Sequence, residues 1–272
     1  MQDPGVVHLS KSHWADLHRR WAQVTTPLRP TAEDVEGFRQ AIAEHRDQVL
    51  LLGVTPELAD LGTLTVGIDK NSAMAAHLWP GNTAHRQALA GDWLALPFAR
   101  GAFSAAIGDG SLSAFPYPDN YRRLFGQLTE VLRPGGRAVM RLYKAPDESE
   151  SLAAVFAAVR AGKIRNFHVF KWRLAMALVA AAGDPNLRVV EILAHFERAF
   201  PDWPKLAALT GWPLAQIETI GVYRDSREVY SFATFEQIRQ TLPASFTNPR
   251  LIAVGSYELA ERCPLLVLDR TS

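Results

Sequence analysis

The sequence predicts an α/β fold: a doubly wound sheet with a helical N-terminal segment and a large insertion before the closing β-hairpin. Three observations carry that expectation. Short apolar runs at 49–52, 64–68 and 103–107 each stop at a glycine or an acid, as buried parallel strands do when they break into loops. Helical patterns separate these runs. After the fifth predicted strand comes a stretch of roughly eighty residues rich in Phe, Trp, His and Arg, far longer than an ordinary connection. The chain divides into an N-terminal helical lid (1–47), an α/β core (48–146), a cap insertion (147–232), and the last helix with the closing strands of the core (233–272).

Each element has its own signal. Residues 13–24 carry Trp14, Leu17 and Trp21 at helical spacing,. TTPLRP is a loop, and Thr31 opens a second helix with a Thr-x-x-Asp start,. VLLL at 49–52 runs into Gly53 and a Pro-containing turn with Thr55 and Glu57. The run at 64–68 ends in Asp69, close to the roughly twenty-residue spacing at which a doubly wound sheet brings an acid to a ribose. A helix is expected over 71–79, and GDW places Asp92 after the third strand. The fourth strand, 103–107, ends in Gly108-Asp109-Gly110-Ser111, where glycines let backbone approach a ligand,. A helix over 121–132 leads through LRPGGR into a fifth strand at 138–143.

In the insertion, NFHVFKWRLAMALVAAAG predicts a helix ended by Gly183,. Phe167, Phe170, Leu174 and Leu178 form its expected buried stripe, with His168, Lys171 and Trp172 facing elsewhere and a basic side in solvent,. Tyr230 and Phe232 fall in a loop, the last helix starts near Thr234, and the closing strands are expected at 251–257 and 264–269.

Asp69, Asp92 and Asp109 thus follow three successive strands. Ligands in open α/β sheets bind at the carboxyl ends of strands. Three acids so placed should converge on one crevice.

With these five landmarks in order (VLLLGVTPEL, VGID, GDW, IGDGSLS and LRPGGR) the chain resembles the class I methyltransferases that use S-adenosylmethionine, over roughly residues 48–143,. The resemblance implies a Rossmann-like core, S-adenosylmethionine as cofactor and S-adenosylhomocysteine as product. It places Gly53 under the methionine part, Asp69 on the ribose, Asp92 on the adenine amino group and Trp93 beside the adenine. Lys70, Met74, Gly110 and Ser111 complete the implied cofactor set, and LRPGGR marks the fold more than the chemistry. One departure is the loop Gly53-Val54-Thr55-Pro56-Glu57, where the family carries several glycines. The Thr55 hydroxyl could contact the cofactor's carboxylate or amine. In related enzymes an N-terminal segment folds over the cofactor, which would bring Arg29 to its carboxylate. Asp109 is the acid nearest the expected transfer point, to hold the cofactor's ammonium or orient the acceptor. In the insertion, His168, Lys171 or Arg173 is a candidate to contact an acceptor carboxylate or to serve as a base, with His195 and Tyr223 as further candidates. Three activities stay open: methyl transfer to a small molecule, another reaction of the same cofactor such as intramolecular cyclisation releasing methylthioadenosine, and non-catalytic binding.

Composition narrows the field. The chain has 272 residues, 48% hydrophobic and 21% charged, with a formal net charge of +1. That is enough chain for a sizeable core. No basic stripe marks a nucleic-acid surface. One cysteine, Cys263, excludes an internal disulfide and a cysteine-rich zinc site, and its apolar setting predicts burial,. No run of eighteen or more apolar residues and no basic-then-apolar start occur, so a cytoplasmic protein without a membrane span is expected. No protein- or nucleic-acid-recognition module stands out, so a small-molecule acceptor is the default expectation, and activated methyl transfer requires no metal. Monomer and homodimer are equally compatible with the sequence.

Overall fold

β1 (Gln48–Leu52), β2 (Leu64–Asp69), β3 (Arg86–Ala90), β4 (Phe103–Asp109) and β5 (Leu132–Arg141) are the parallel strands of a seven-stranded sheet in the computed structural model, which describes residues 18–271. β8 (Phe246–Ile252) and β9 (Leu265–Arg270) complete it, in the order β3-β2-β1-β4-β5-β9-β8. β9 runs antiparallel to both of its neighbours. The order reverses between β1 and β4, so the carboxyl ends of β1, β2 and β4 open a crevice there.

The sheet is covered on both faces, which is why its strands read as near-continuous apolar runs. Val49 and Leu51 of β1 join Ala105, Ile107, Val139, Leu265 and Val267 in one core. There they meet Phe38 and Ile42 at the end of α1 (Ala32–Ala41). Leu50 and Leu52 point the other way, with Ala106, Met140, Leu266 and Leu268, onto Leu124, Phe125 and Leu128 of α3 (Asp119–Val131). The shorter α2 (Ser72–Leu78) follows β2. α1 starts in a full capping box, with the Thr31 hydroxyl accepting from the Asp34 amide and the Asp34 carboxylate accepting from the Thr31 amide,.

The insertion carries α4 (Leu152–Arg160), α5 (Phe167–Ala182), α6 (Val189–Ala199), α7 (Trp203–Thr210) and α8 (Leu214–Ile217). β6 (Asn186–Arg188) and β7 (Val229–Ser231) pair antiparallel beside them. α5 is capped by the Asn166 side chain and ends at Gly183, which is left-handed with φ 67°,. Its expected solvated basic side is not there. Twelve of its sixteen residues are buried, His168, Lys171 and Trp172 among them. The other helices of the insertion surround it, and a helix apolar nearly all round is a buried one. The insertion is stitched to the sheet by Asn186, whose side chain pairs with both the amide and the carbonyl of Tyr117. Ser231 adds a hydrogen bond to the Phe115 carbonyl at 2.6 Å.

Other departures from the sequence expectation are local. Trp14 and Leu17 lie outside the described residues, and His18–Gln23 is a 3-10 turn rather than α-helix. Tyr230, expected in a loop, is in β7. The first closing strand is Phe246–Ile252, earlier than 251–257, because a bulge between Thr247 and Arg250 absorbs Asn248 and Pro249 in an edge strand,. Residues 253–256 form a loop instead, and α9 (Phe235–Arg239) starts at its Thr234 cap as expected.

Candidate active site

A cavity of about 500 Å³ lies at the carboxyl ends of β1, β2 and β4, between the sheet and the insertion. Gly53, which ends β1 at φ 110°, is held by its amide hydrogen bond of 2.9 Å to the Ile68 carbonyl. Such a φ is open to glycine and strained for other residues. Gly53, Thr55, Asp69, Lys70, Met74, Asp92, Trp93, Asp109, Gly110 and Ser111 all line the cavity. The three strand-end acids therefore share one space.

Each acid is fixed by its backbone surroundings. Asp69 closes β2 and accepts the Asn71 amide at 2.8 Å, while Asn71 caps α2. Burial pushes its carboxyl above the ordinary range,. Asp92 sits at the exposed rim and accepts the Leu94 amide at 2.8 Å. Trp93 next to it is locked by its indole N–H on the Ile68 carbonyl at 2.6 Å and meets Phe115 edge-on at 5.7 Å. Ser111 is buried, and its hydroxyl has no partner among the described residues. A buried unpaired hydroxyl lining a cavity calls for a ligand atom or water.

Asp109 is tied down from below. Its carboxylate is 2.5 Å from Nε of Arg141, directly across the β4–β5 pairing, and the two side chains are 4% and 0% exposed. Arg141 also reaches Asp34 at 3.4 Å and donates to the Tyr257 hydroxyl at 2.8 Å. Burial alone would depress the guanidinium, but the Asp109 charge overrides it and holds Arg141 above its ordinary value,. The capping residue of α1, the floor of β5 and the tip of β4 thus form one network. Tyr143, two residues on, lies over Gly110 and donates to the Pro27 carbonyl at 3.2 Å. A side chain at Gly110 would strike the Tyr143 ring at 2.4 Å.

The opposite wall comes from the insertion and the N-terminal segment. Lys171, Trp172, Tyr223, Glu228 and Tyr230 line it, with Trp21, Val24 and Leu28 closing the side. Tyr143 and Trp172 meet edge-on at 5.3 Å, which joins the two walls. Burial lowers the Lys171 ammonium to about 7,. His168 is buried behind this wall with Nε2 3.0 Å from the Gln23 carbonyl, and burial keeps it neutral, down to about 3. It does not line the cavity, nor does His195, half-buried on α6. Arg29 also stays out: it pairs with Glu57 and lies over the Trp21 ring at 5.7 Å. Its partner, the unusual Glu57 of the glycine loop, does not line the cavity either. Arg173 is held by Glu150.

Arg141, Tyr143, Trp172 and Tyr230 are site residues that the sequence reading passed over. Arg141 left a signal, since it is the one charge inside the apolar run AVMRLY. The aromatic residues left none, because their position depends on how the insertion packs. Among the described residues no group of three or more His, Cys, Asp or Glu side chains could hold a metal.

No protein-family pattern matches the chain, and no curated protein matches it. Its likenesses are to solved structures. A Rhodobacter sphaeroides protein provisionally described as a Zn-dependent alcohol dehydrogenase is similar at 14% identity and TM-score 0.58, over 96% of this chain and 99% of that one. The N-methyltransferase NodS of Bradyrhizobium japonicum WM9, solved with S-adenosylhomocysteine, is similar at 12% identity and TM-score 0.51, over 96% and 100%. The PH0226 protein of Pyrococcus horikoshii OT3 is similar at 14% identity and TM-score 0.50, over 92% and 98%. At such identities the likeness is one of fold. Strand order and the antiparallel β9 give the chain a Rossmann-like fold, which it shares with the methyltransferase NodS.

Proposed function

We propose that this protein transfers a methyl group from S-adenosylmethionine to a small-molecule acceptor held between the sheet and the insertion. The observation that supports this best is the gathering of Asp69, Asp92 and Asp109 from successive strand ends around one cavity. The residues present suit the cofactor. Asp69 can accept from ribose hydroxyls, Asp92 from the adenine amino group beside Trp93, and Asp109 from an ammonium over the turn at Gly53. Ser111 offers its unpaired buried hydroxyl. NodS, of the same fold, was solved with S-adenosylhomocysteine, which favours this assignment.

When bound, the cofactor supplies a methyl group already activated by its sulfonium. The protein's part is to align and to exclude water. Alignment of reactants can contribute on the order of 7–11 kcal/mol. Asp109 suits that task because Arg141 fixes its carboxylate. The aromatic wall of Tyr143, Trp172, Tyr223 and Tyr230 provides a dry, apolar seat for the acceptor,.

Calorimetric titration with S-adenosylmethionine and S-adenosylhomocysteine tests the binding, and mass analysis of the nucleoside formed in cell extract tests the reaction. Binding followed by S-adenosylhomocysteine release is expected. Methylthioadenosine as the product would assign the other cofactor reaction, and no binding of either nucleoside would leave a fold without the activity.

A further inference from the structure

Lys171 is an unusual residue for the wall of a cavity. It is 4% exposed, and among the described residues no carboxylate lies within ion-pair distance of its ammonium. Asp69, Asp92, Asp109 and Glu228 line the same cavity, yet none of them reaches it. Its ammonium lies instead against ring faces, Trp172 at 5.2 Å and Tyr223 at 5.1 Å from the centroids. Beside it Trp172 lines the cavity too, and its indole N–H is buried with no acceptor among the described residues. The ammonium is thus a donor in the cavity wall with nothing among the described residues to accept from it. Buried lysines are ordinarily paired.

We infer that Lys171 anchors the acceptor by a carboxylate, so that the methyl acceptor is a small organic acid with a flat apolar body. This rests on the methyl-transfer reading and narrows it to a substrate class. A carboxylate matches the site because it accepts only and restores the missing countercharge. The rings of Trp172, Tyr223, Tyr230 and Tyr143 fit a flat body. Uncharged compounds of the same shape leave the ammonium unpaired and are rejected.

The groups that face Lys171 sharpen the expectation. His168 on the same helix is neutral, and Tyr143, Tyr223 and Tyr230 are held protonated by burial, while Glu228 is the carboxylate nearest along the chain in this wall. With the ammonium near neutrality, an arriving carboxylate raises its proton affinity, so binding at pH 8 takes up a proton from the buffer,.

The test uses the full chain saturated with S-adenosylhomocysteine and titrates benzoate, phenylacetate and 3-phenylpropanoate beside the three corresponding amides. At least one acid should bind, its amide at least tenfold more weakly, and Lys171→Met should weaken the acid at least tenfold with S-adenosylhomocysteine affinity within twofold of the parent. Lys171→Gln serves equally should the methionine variant not fold. Calorimetry in two buffers of different ionisation enthalpy should show net proton uptake at pH 8. The inference is overturned if none of the acids binds the loaded protein, if amides bind as well, if both Lys171 variants keep the acid, or if no proton is taken up. Failure of S-adenosylhomocysteine itself to bind would instead strike the methyl-transfer reading.

Discussion

Two buried cations of this molecule, Arg141 and Lys171, are treated in opposite ways. Arg141, under the sheet side of the cavity, is wrapped by Asp109, Asp34 and Tyr257. Lys171, in the insertion, rests against aromatic faces with no countercharge among the described residues. A buried charge that is paired and hydrogen-bonded is a strut; one without a countercharge is costly and persists where a ligand completes it. The Arg141 network is therefore complete before any ligand arrives, and the surroundings of Lys171 are not.

Breaking the Arg141 network should have the largest effect. Arg141→Met leaves Asp109 and Asp34 as buried carboxylates without their cation, and loss of one partner of a buried pair costs about 3–5 kcal/mol. Denaturant unfolding should show that loss, and α1 should loosen with it, because Asp34 also belongs to its capping box. A loss below about 1 kcal/mol would mean that the network is incidental.

The surroundings of Lys171 should respond with the opposite sign. Lys171→Met removes an ammonium whose proton affinity burial has lowered to about 7. A tenfold change in proton affinity corresponds to about 1.4 kcal/mol, and with part lost to imperfect packing a gain on the order of 1–3 kcal/mol at pH 6 is expected. The sign follows from proton counting. Between the folded value near 7 and the ordinary value of 10.5 the unfolded chain binds the proton that the folded chain lacks. Wild-type stability should therefore rise with pH across that window and the variant's should not. Thermal melts of both proteins from pH 6 to 10 check this.

A smaller effect separates His168 from the cavity. Its folded value near 3 lies below the ordinary 6.5, so the unfolded chain takes up a proton first as pH falls. The stability tied to neutral His168 is present above pH 6.5 and lost on going down towards 3, with a slope of up to about 1.4 kcal/mol per pH unit. His168→Gln should flatten that part of the stability profile and leave nucleoside binding at pH 7.5 unchanged. A large loss of binding there would return the residue to the site.

The same contrast governs what the sequence made legible. Strand ends write their function locally: VGID, GDW and IGDG each put an acid one or two residues beyond an apolar run, and the sheet order brings the three together,. The insertion writes nothing local. α5 looked amphipathic from Phe167, Phe170, Leu174 and Leu178, but α4, α6 and the segments around Trp212 and Tyr230 bury its other faces too. Arg29 was expected at the cofactor through resemblance, and its ion pair with Glu57 was hidden because the partner lies in a loop that departs from the usual glycine pattern. The β8 bulge likewise depends on pairing with β9, which no short window of sequence contains.

If strand-end carboxylates hold one adenosine, removing the ribose acid must weaken the nucleoside. Calorimetric titration of S-adenosylhomocysteine into Asp69→Ala beside the parent protein tests this most directly. Loss of charge-assisted hydrogen bonds worth about 1.5–3 kcal/mol predicts affinity weaker by roughly 10- to 100-fold with an unchanged melting profile. Equal affinity in both proteins would contradict the account.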